Sequence, residues 1–525
     1  MNKGMLGQAV AMFLAGAFLC STLTFAQEQK GDWPLTGSDA GQTGWQKDEF
    51  GLTQDNIPAN FKFLWKIKLG QSTRAKRSFS EPLLAGRLIN AQGFKDIVYW
   101  SSADTLFAVD SELGSLIWKH EFKTATPGAG CGLSSLGLLM EPPVVINFNA
   151  RRRRAPGTPR PPDPPAAATN ARRLGVPPGG GYFGLKGIYV LTSDGMLHEQ
   201  VMTTGADFAP PVKFLPAANA AAYGLNFNEK TIVTATGLEC GSVPNGLWAI
   251  ELTSASYTVA NYATQKVRPL GITGPVITPA GKSLAVTGPG TSDSTAGVYA
   301  SSVVSLSKEL KVEDWYTPDG GIADYGSVSP VAFTFKERQF IVAPARDGRI
   351  ALLDAASLGG ADHHTPLFET PPISKAGEKH GWDGFATWQD KDGTAWVFAS
   401  ISAPISLNDN VTKVNSSNMH GGIVAFKVED IDGKFALRLV WVSPDMTNPA
   451  PPRIANGVLV ALSGGNSTTH AILYVFNAAT GAKLYSSENQ IPTYTELSGV
   501  AIADSHAFFT DHDNVLYSFG IALEH

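Results

Sequence analysis

The sequence predicts an all-β fold: an eight-bladed β-propeller of four-stranded antiparallel blades, its ring closed by an N-terminal strand. Three observations predict it. A strand–turn–strand unit recurs along the chain, its period is roughly 45 to 50 residues, and the last unit lacks a strand while an unpaired one stands near the start. Composition agrees: Gly (54) and Pro (34) are abundant and charged side chains make up only 17% of the 525 residues, which suits a turn-rich β protein. Length alone would suggest roughly three or four domains, but a closed ring of repeats uses the whole chain as one.

The clearest copy is Leu106-Phe107-Ala108-Val109-Asp110, then Gly114, then Leu116-Ile117-Trp118. Asp110 can bond its own turn backbone, Gly114 tolerates positive φ, and Trp118 brings apolar area to the next strand. Leu473-Tyr474-Val475-Phe476-Asn477 with Gly481 and Leu484-Tyr485 repeats it at the same spacing. Weaker copies stand at 247–251, 303–306 with Trp315, 350–354, and 423–427, whose partner strand is delayed to 439–441. Each copy follows two shorter strand-like runs. The units are 80–122, 136–216, 222–264, 272–318, 325–371, 381–445, 448–490 and an incomplete 498–521. The strand Phe63-Leu64-Trp65-Lys66-Ile67-Lys68-Leu69 has no unit before it. It is expected to complete the last blade, closing the ring and removing exposed sheet edges.

Residues 1–26 read as a signal peptide: Lys3 is the positive n-region, Met5 to Leu19 an uncharged apolar run, and Thr24-Phe25-Ala26 the small-residue cleavage site. The expected mature chain, 27–525, is exported to the periplasm or secreted and keeps no membrane-spanning segment. Cys20 follows Leu19, whereas a lipidation signal wants a small residue there. Cys131 and Cys240 can pair in such a compartment or stay as two thiols. Residues 149–181, with four consecutive arginines, many prolines and a Gly-Gly-Gly run, read as a flexible insertion within the second blade. The formal charge, 41 − 46 = −5, argues against nucleic acid as a partner.

Trp33-Pro34-Leu35-Thr36-Gly37-Ser38-Asp39, then Gly51-Leu52-Thr53, Asn56-Ile57 and Leu64-Trp65, resemble the N-terminal signature of the pyrroloquinoline-quinone (PQQ) repeat propellers. The spacing Ala108, Asp110, Gly114, Trp118 matches their blade motif. Together they cover nearly the whole mature chain. The family includes quinoprotein alcohol dehydrogenases and the lipoprotein scaffold of outer-membrane barrel assembly. For the dehydrogenases the resemblance implies a quinone in the central funnel, supported by a Trp and covered by a disulfide between adjacent cysteines. It also implies a Ca²⁺ ion held by oxygen ligands, and an Asp acting as general base.

This chain has no adjacent cysteines, and without Cys-x-x-Cys-His it carries no covalent haem. Polar residues at the starts of innermost strands line such a funnel; the candidates are Glu81, Glu141, Asp324, Tyr325, His380, Trp382, Asp383, Arg453 and Glu496. If quinone chemistry is retained, Asp383 is the base, Trp382, His380 and Tyr325 border the cofactor, and Glu141 and Asp324 serve the metal. Alternatively, His380-Gly381-Trp382-Asp383-Gly384 merely begins a strand, its His and Asp bonded to backbone and its Trp packed between blades. His363-His364 lies in a loop, and Asp511-His512-Asp513-Asn514 reads as a hairpin turn. No dinucleotide fingerprint, phosphate loop or hydrolase elbow is present. The expected function is a non-catalytic binding or scaffold module for a protein, polysaccharide or small ligand, at the rim or in the funnel. The alternatives are a PQQ- and Ca²⁺-dependent dehydrogenase of alcohols or sugars, and a barrel-assembly scaffold.

Overall fold

The computed structural model describes residues 31–69, 81–90, 93–102, 105–123, 137–140, 187–192, 194–217, 221–228, 231–237, 243–252, 257–265, 267–271, 273–322, 328–374, 382–405, 420–495 and 499–522. The expected signal peptide, all three cysteines and the 149–181 insertion lie outside them.

Eight antiparallel sheets follow one another along the chain as blades of a ring. Blade 1 is typical: Leu83–Asn90 is innermost, followed outward by Gly93–Ser102, Thr105–Asp110 and Leu116–Glu121. The middle strands are buried throughout, as in Ala395–Ile401 and Val458–Ser463, because neighbouring blades cover both faces. Blade 8 takes Ala501–Ala503, His506–Thr510 and Val515–Gly520 from the C-terminal end, and its outermost strand is Lys62–Lys68. The closure expected from the unpaired Trp65 strand is therefore present. Among the described residues helix is confined to one α-helical turn, Ile57–Asn60, and three short 3₁₀ turns.

The repeat motif has a physical explanation in the joints between blades. Trp65, on the outer strand of blade 8, lies over the turn of blade 1, where an added Cβ at Gly114 would sit 2.4 Å from its ring. Its indole N–H donates to the Ser111 carbonyl at 2.8 Å. Trp118 repeats this on blade 2, with Gly205 beneath it and a 3.1 Å bond to the Met202 carbonyl. Trp441 repeats it on blade 7, with Gly481 beneath and a 2.9 Å bond to the Ala478 carbonyl. In each case the accepting carbonyl stands three residues before the glycine. The motif's glycine thus serves the tryptophan of the preceding blade as well as its own turn. Asp110 and its counterpart Asn477 hold that turn by accepting from the backbone N–H groups two and three residues on.

Gly481 combines a φ of +74° with that close approach to Trp441, so Gly481→Ala is expected to cost on the order of 2 kcal/mol of stability. Trp441 is fully buried, and Trp441→Ala is expected to cost about 3–5 kcal/mol. In the Trp441→Ala background the Gly481→Ala cost should fall to about 1 kcal/mol, the share left by the positive φ. Urea unfolding of the four proteins checks this cycle, and additive costs would break the proposed link.

Candidate functional site

A ring of blades leaves the inner edge of every innermost strand facing the axis with unpaired backbone groups. Here residues 33–49 run round that edge in blade order. Trp33 exchanges backbone hydrogen bonds with Leu84 of blade 1 at 2.8 and 3.1 Å. Leu35 packs with Tyr189 and Leu191 of blade 2. The Ala40 carbonyl accepts from the Asn226 side chain of blade 3 and from the Ile277 N–H of blade 4, both at 2.8 Å. Gly41, Thr43 and Gly44 accept from Ala332, Thr387 and Ile454 of blades 5, 6 and 7 at 3.0, 2.8 and 2.8 Å. Trp45–Gln46 then pairs in parallel with Arg453–Ala455, and Glu49 accepts from the Ser505 N–H of blade 8 at 2.7 Å. Among the described residues, the inner edges of the blades are thus partnered by the protein's own chain.

One end of this segment is fixed at the mouth of the channel, where the innermost strands begin. Glu81 and Arg453 form an ion pair there at 2.6 Å, and both side chains are only 2% exposed. The other Glu81 oxygen accepts from the Trp33 indole at 2.8 Å and the Gly37 N–H at 3.1 Å. Arg453 also donates to the Val500 and Pro452 carbonyls, and its guanidinium lies 5.8 Å from the centre of the Trp33 ring. These two funnel candidates are brought together, but their bonding capacity is spent on the protein itself. A buried pair of this kind fixes a geometry more than it adds stability.

Asp383 stands beside them at the start of the inner strand of blade 6. Burial pushes its carboxyl up to about 7, against a hydrogen bond from the Ser402 hydroxyl that lowers it. The space next to it, lined by Gln42, Thr273, Ser329, Pro451 and Arg453 among others, is about 10 Å³, the scale of one water molecule. The Trp382 backbone pairs with Ile401 in the same sheet. His380, Tyr325, Glu141, Asp324 and Glu496 lie outside the described residues.

The described residues do not fit a quinone and its metal. Among the described residues the space beside Asp383 is of water size, too small for a tricyclic ring system, and the Glu81 carboxylate is held by Arg453.

The remaining motifs have structural partners. His363 stacks on Trp315 at 3.6 Å between ring centres and pairs with Asp314 at 3.1 Å. Asp511 accepts from the N–H groups of Asp513 and Val515, closing a turn. Sequence reasoning missed an acidic cluster where blades 1 and 8 meet, in which carboxylate oxygens of Asp96, Glu112 and Asp504 lie within 4.8 Å of one another. Burial and the charges of Asp96, Glu49 and Glu112 push Asp504 up to about 7.

Also missed was a cavity of about 410 Å³ at the opposite end of the channel, where the innermost strands end. Asp39, Thr43, Trp45 and Lys47 form its inner wall. Thr278, Phe333, Thr334, Thr387, Trp388 and Gln389 of blades 4 to 6 form the rest.

Two outcomes follow. Arg453→Met leaves a buried carboxylate unpaired and is expected to cost about 3–5 kcal/mol, with the Glu81→Leu/Arg453→Met double variant closer to the parent in urea unfolding. Asp383 has a raised folded-state pKa, so its ionisation penalises folding fully above about pH 7 and not at all below its unfolded value near 4. Asp383→Asn should therefore stabilise the protein at pH 8, on the order of 2 kcal/mol, with the gain fading toward pH 4. Unfolding curves across that range check the sign.

No protein-family model matches the chain, and no curated protein matches it in sequence. Its fold is similar to that of a europium-containing methanol dehydrogenase, at 11% identity over 94% of this chain and 99% of that one, with a TM-score of 0.55. It is also similar to a quinohemoprotein alcohol dehydrogenase from Pseudomonas putida HK5, at 11% identity over 94% of this chain and 81% of that one, with a TM-score of 0.51. The fold that the resemblance to the PQQ-repeat propellers implies is present: this chain is an eight-bladed β-propeller, similar in fold to these two dehydrogenases.

Proposed function

We propose that this protein is an exported, non-catalytic propeller that binds its ligand on a face of the ring. The observation that carries this reading is the occupied axis. Residues 33–49 take the inner edges of the blades, along the wall of the central funnel in which the family resemblance would put a quinone. Glu81 and Arg453 are committed to holding that segment, and Asp383 faces a space of about 10 Å³. Among the described residues, ligand-sized space lies at the far end of the channel. Export rests on the Lys3, Met5–Leu19 and Ala26 pattern at the start of the chain. The scaffold of barrel assembly is less well supported, because Leu19 precedes Cys20 where membrane tethering wants a small residue.

The purified mature protein mixed with PQQ and Ca²⁺ is expected to show no thermal shift and no dye-linked oxidation of short alcohols or sugars. Turnover that disappears in Asp383→Ala would overturn the non-catalytic reading. Intact-mass measurement of the exported protein should find Gln27 at its start.

A further inference from the structure

We infer that the cavity at the far end of the channel is a binding site for a short, uncharged saccharide. This rests on the reading of the protein as a binding propeller and adds the site and the ligand class. The volume, about 410 Å³, falls in the range of ligand pockets, roughly 300–1,000 Å³. It suits a small molecule better than a single ion.

The lining decides the chemistry. Trp45, half-buried, and Trp388, buried, bring aromatic surface to the wall, which matches the C–H faces of a sugar ring. Around them stand groups that both donate and accept: the hydroxyls of Thr334 and Thr387 and the exposed amide of Gln389. The charges cancel. Lys47 crosses the Trp45 ring with its ammonium 5.2 Å from the ring centre and lies 3.6 Å from the Asp39 carboxylate. An anion would meet Asp39 and a cation would displace Lys47, so neither gains a full counter-charge. A polyol uses both, accepting from the lysine and donating to the carboxylate.

The site is also held rigidly where it matters. The Asp39 oxygens accept from the Thr43 N–H at 3.0 Å and its hydroxyl at 2.7 Å, and the Thr43 carbonyl is tied to blade 6. The inner wall is therefore fixed by the same bonds that hold the segment in the channel. Lys47, with a side chain 54% exposed, is free to adjust to the ligand. Preorganised polar groups beside a rigid aromatic are what a weakly hydrophobic ligand needs to offset its lost hydration.

Tryptophan fluorescence and calorimetric titration with glucose, N-acetylglucosamine, maltose and cellobiose test this on the intact mature protein. At least one sugar should bind saturably, weakened tenfold or more by Trp45→Ala. Trp45 also pairs with blade 7, so Gln389→Ala and Thr334→Val serve as variants that leave the fold alone, each expected to weaken binding three- to tenfold. No binding by any of the four sugars at 20 mM, undiminished binding in the two wall variants, or tetramethylammonium competing for the site would overturn the saccharide assignment. None of these results touches the non-catalytic reading, which falls only to quinone-dependent turnover.

Discussion

Every sheet in a closed ring has an outer edge, where solvent satisfies the backbone, and an inner edge turned toward a narrow axis. An inner N–H with no partner loses free energy comparable to a hydrogen bond, about 1–3 kcal/mol when buried. This protein resolves the problem with one segment. Backbone N–H groups of Leu84, Ile277, Ala332, Thr387 and Ile454, from five different blades, all donate to carbonyls between residues 33 and 44. Since a single run of chain meets these blades in order, it sets the radius at which they stand. Close approach sets its composition: a Cβ at Gly41 would lie 2.4 Å from the Ala332 carbonyl oxygen. Only glycine passes there.

The same end of the chain closes the ring at its outer radius. After leaving the axis, residues 49–61 bury Leu52, Ile57 and Phe61 in the core shared by blades 1, 2, 7 and 8, and Lys62–Lys68 then becomes the outermost strand of blade 8. Trp65 carries the closure into blade 1 through the contact that Trp118 and Trp441 make elsewhere. The joint between last and first blade is thus built like any other, though its strands come from opposite ends of the sequence. The Glu81–Arg453 pair fits this picture. Isolating two charges from water costs several kcal/mol per ion, and the cost is tolerable because every charged nitrogen and oxygen of the pair has a hydrogen-bond partner. What the pair secures is position, since it joins blade 1, blade 7 and the Trp33–Gly37 turn at one point.

The blades were legible in the sequence because their signal is local. An Asp or Asn that caps a turn, a Gly four residues on and an aromatic four beyond that are readable without knowing any partner. The closing strand was legible too, through Trp65 and the missing strand after Phe519. The site was not. Glu81 and Arg453 qualified as funnel residues because polar groups open their strands, and nothing near either one shows that they meet each other across 372 positions. Nor does the Trp33–Glu49 stretch look like a strand: its bonds go to a different blade every few residues, so no alternation of apolar and polar side chains is imposed on it. Its closely spaced glycines, Gly37, Gly41 and Gly44, were the available clue to tight backbone approach. Asp383 was placed correctly at a strand start, and its burial against Ser402 depended on contacts that sequence does not display.

An occupied axis changes what the fold can be used for. A propeller that works at its centre needs side chains converging on the axis with space between them, and among the described residues Glu81 and Arg453 spend that convergence on the chain itself. What the occupying segment gives up at the mouth it returns at the other end. There Asp39, Thr43, Trp45 and Lys47 project from it against the ends of three blades, a wall that exists only because the segment is threaded. The threading and the cavity are then one feature. A change that loosens residues 33–49 from the inner edges should disturb the cavity as well as the stability of the ring, whereas a change on the blade side of the cavity, at Thr334 or Gln389, can alter its chemistry and leave the ring intact.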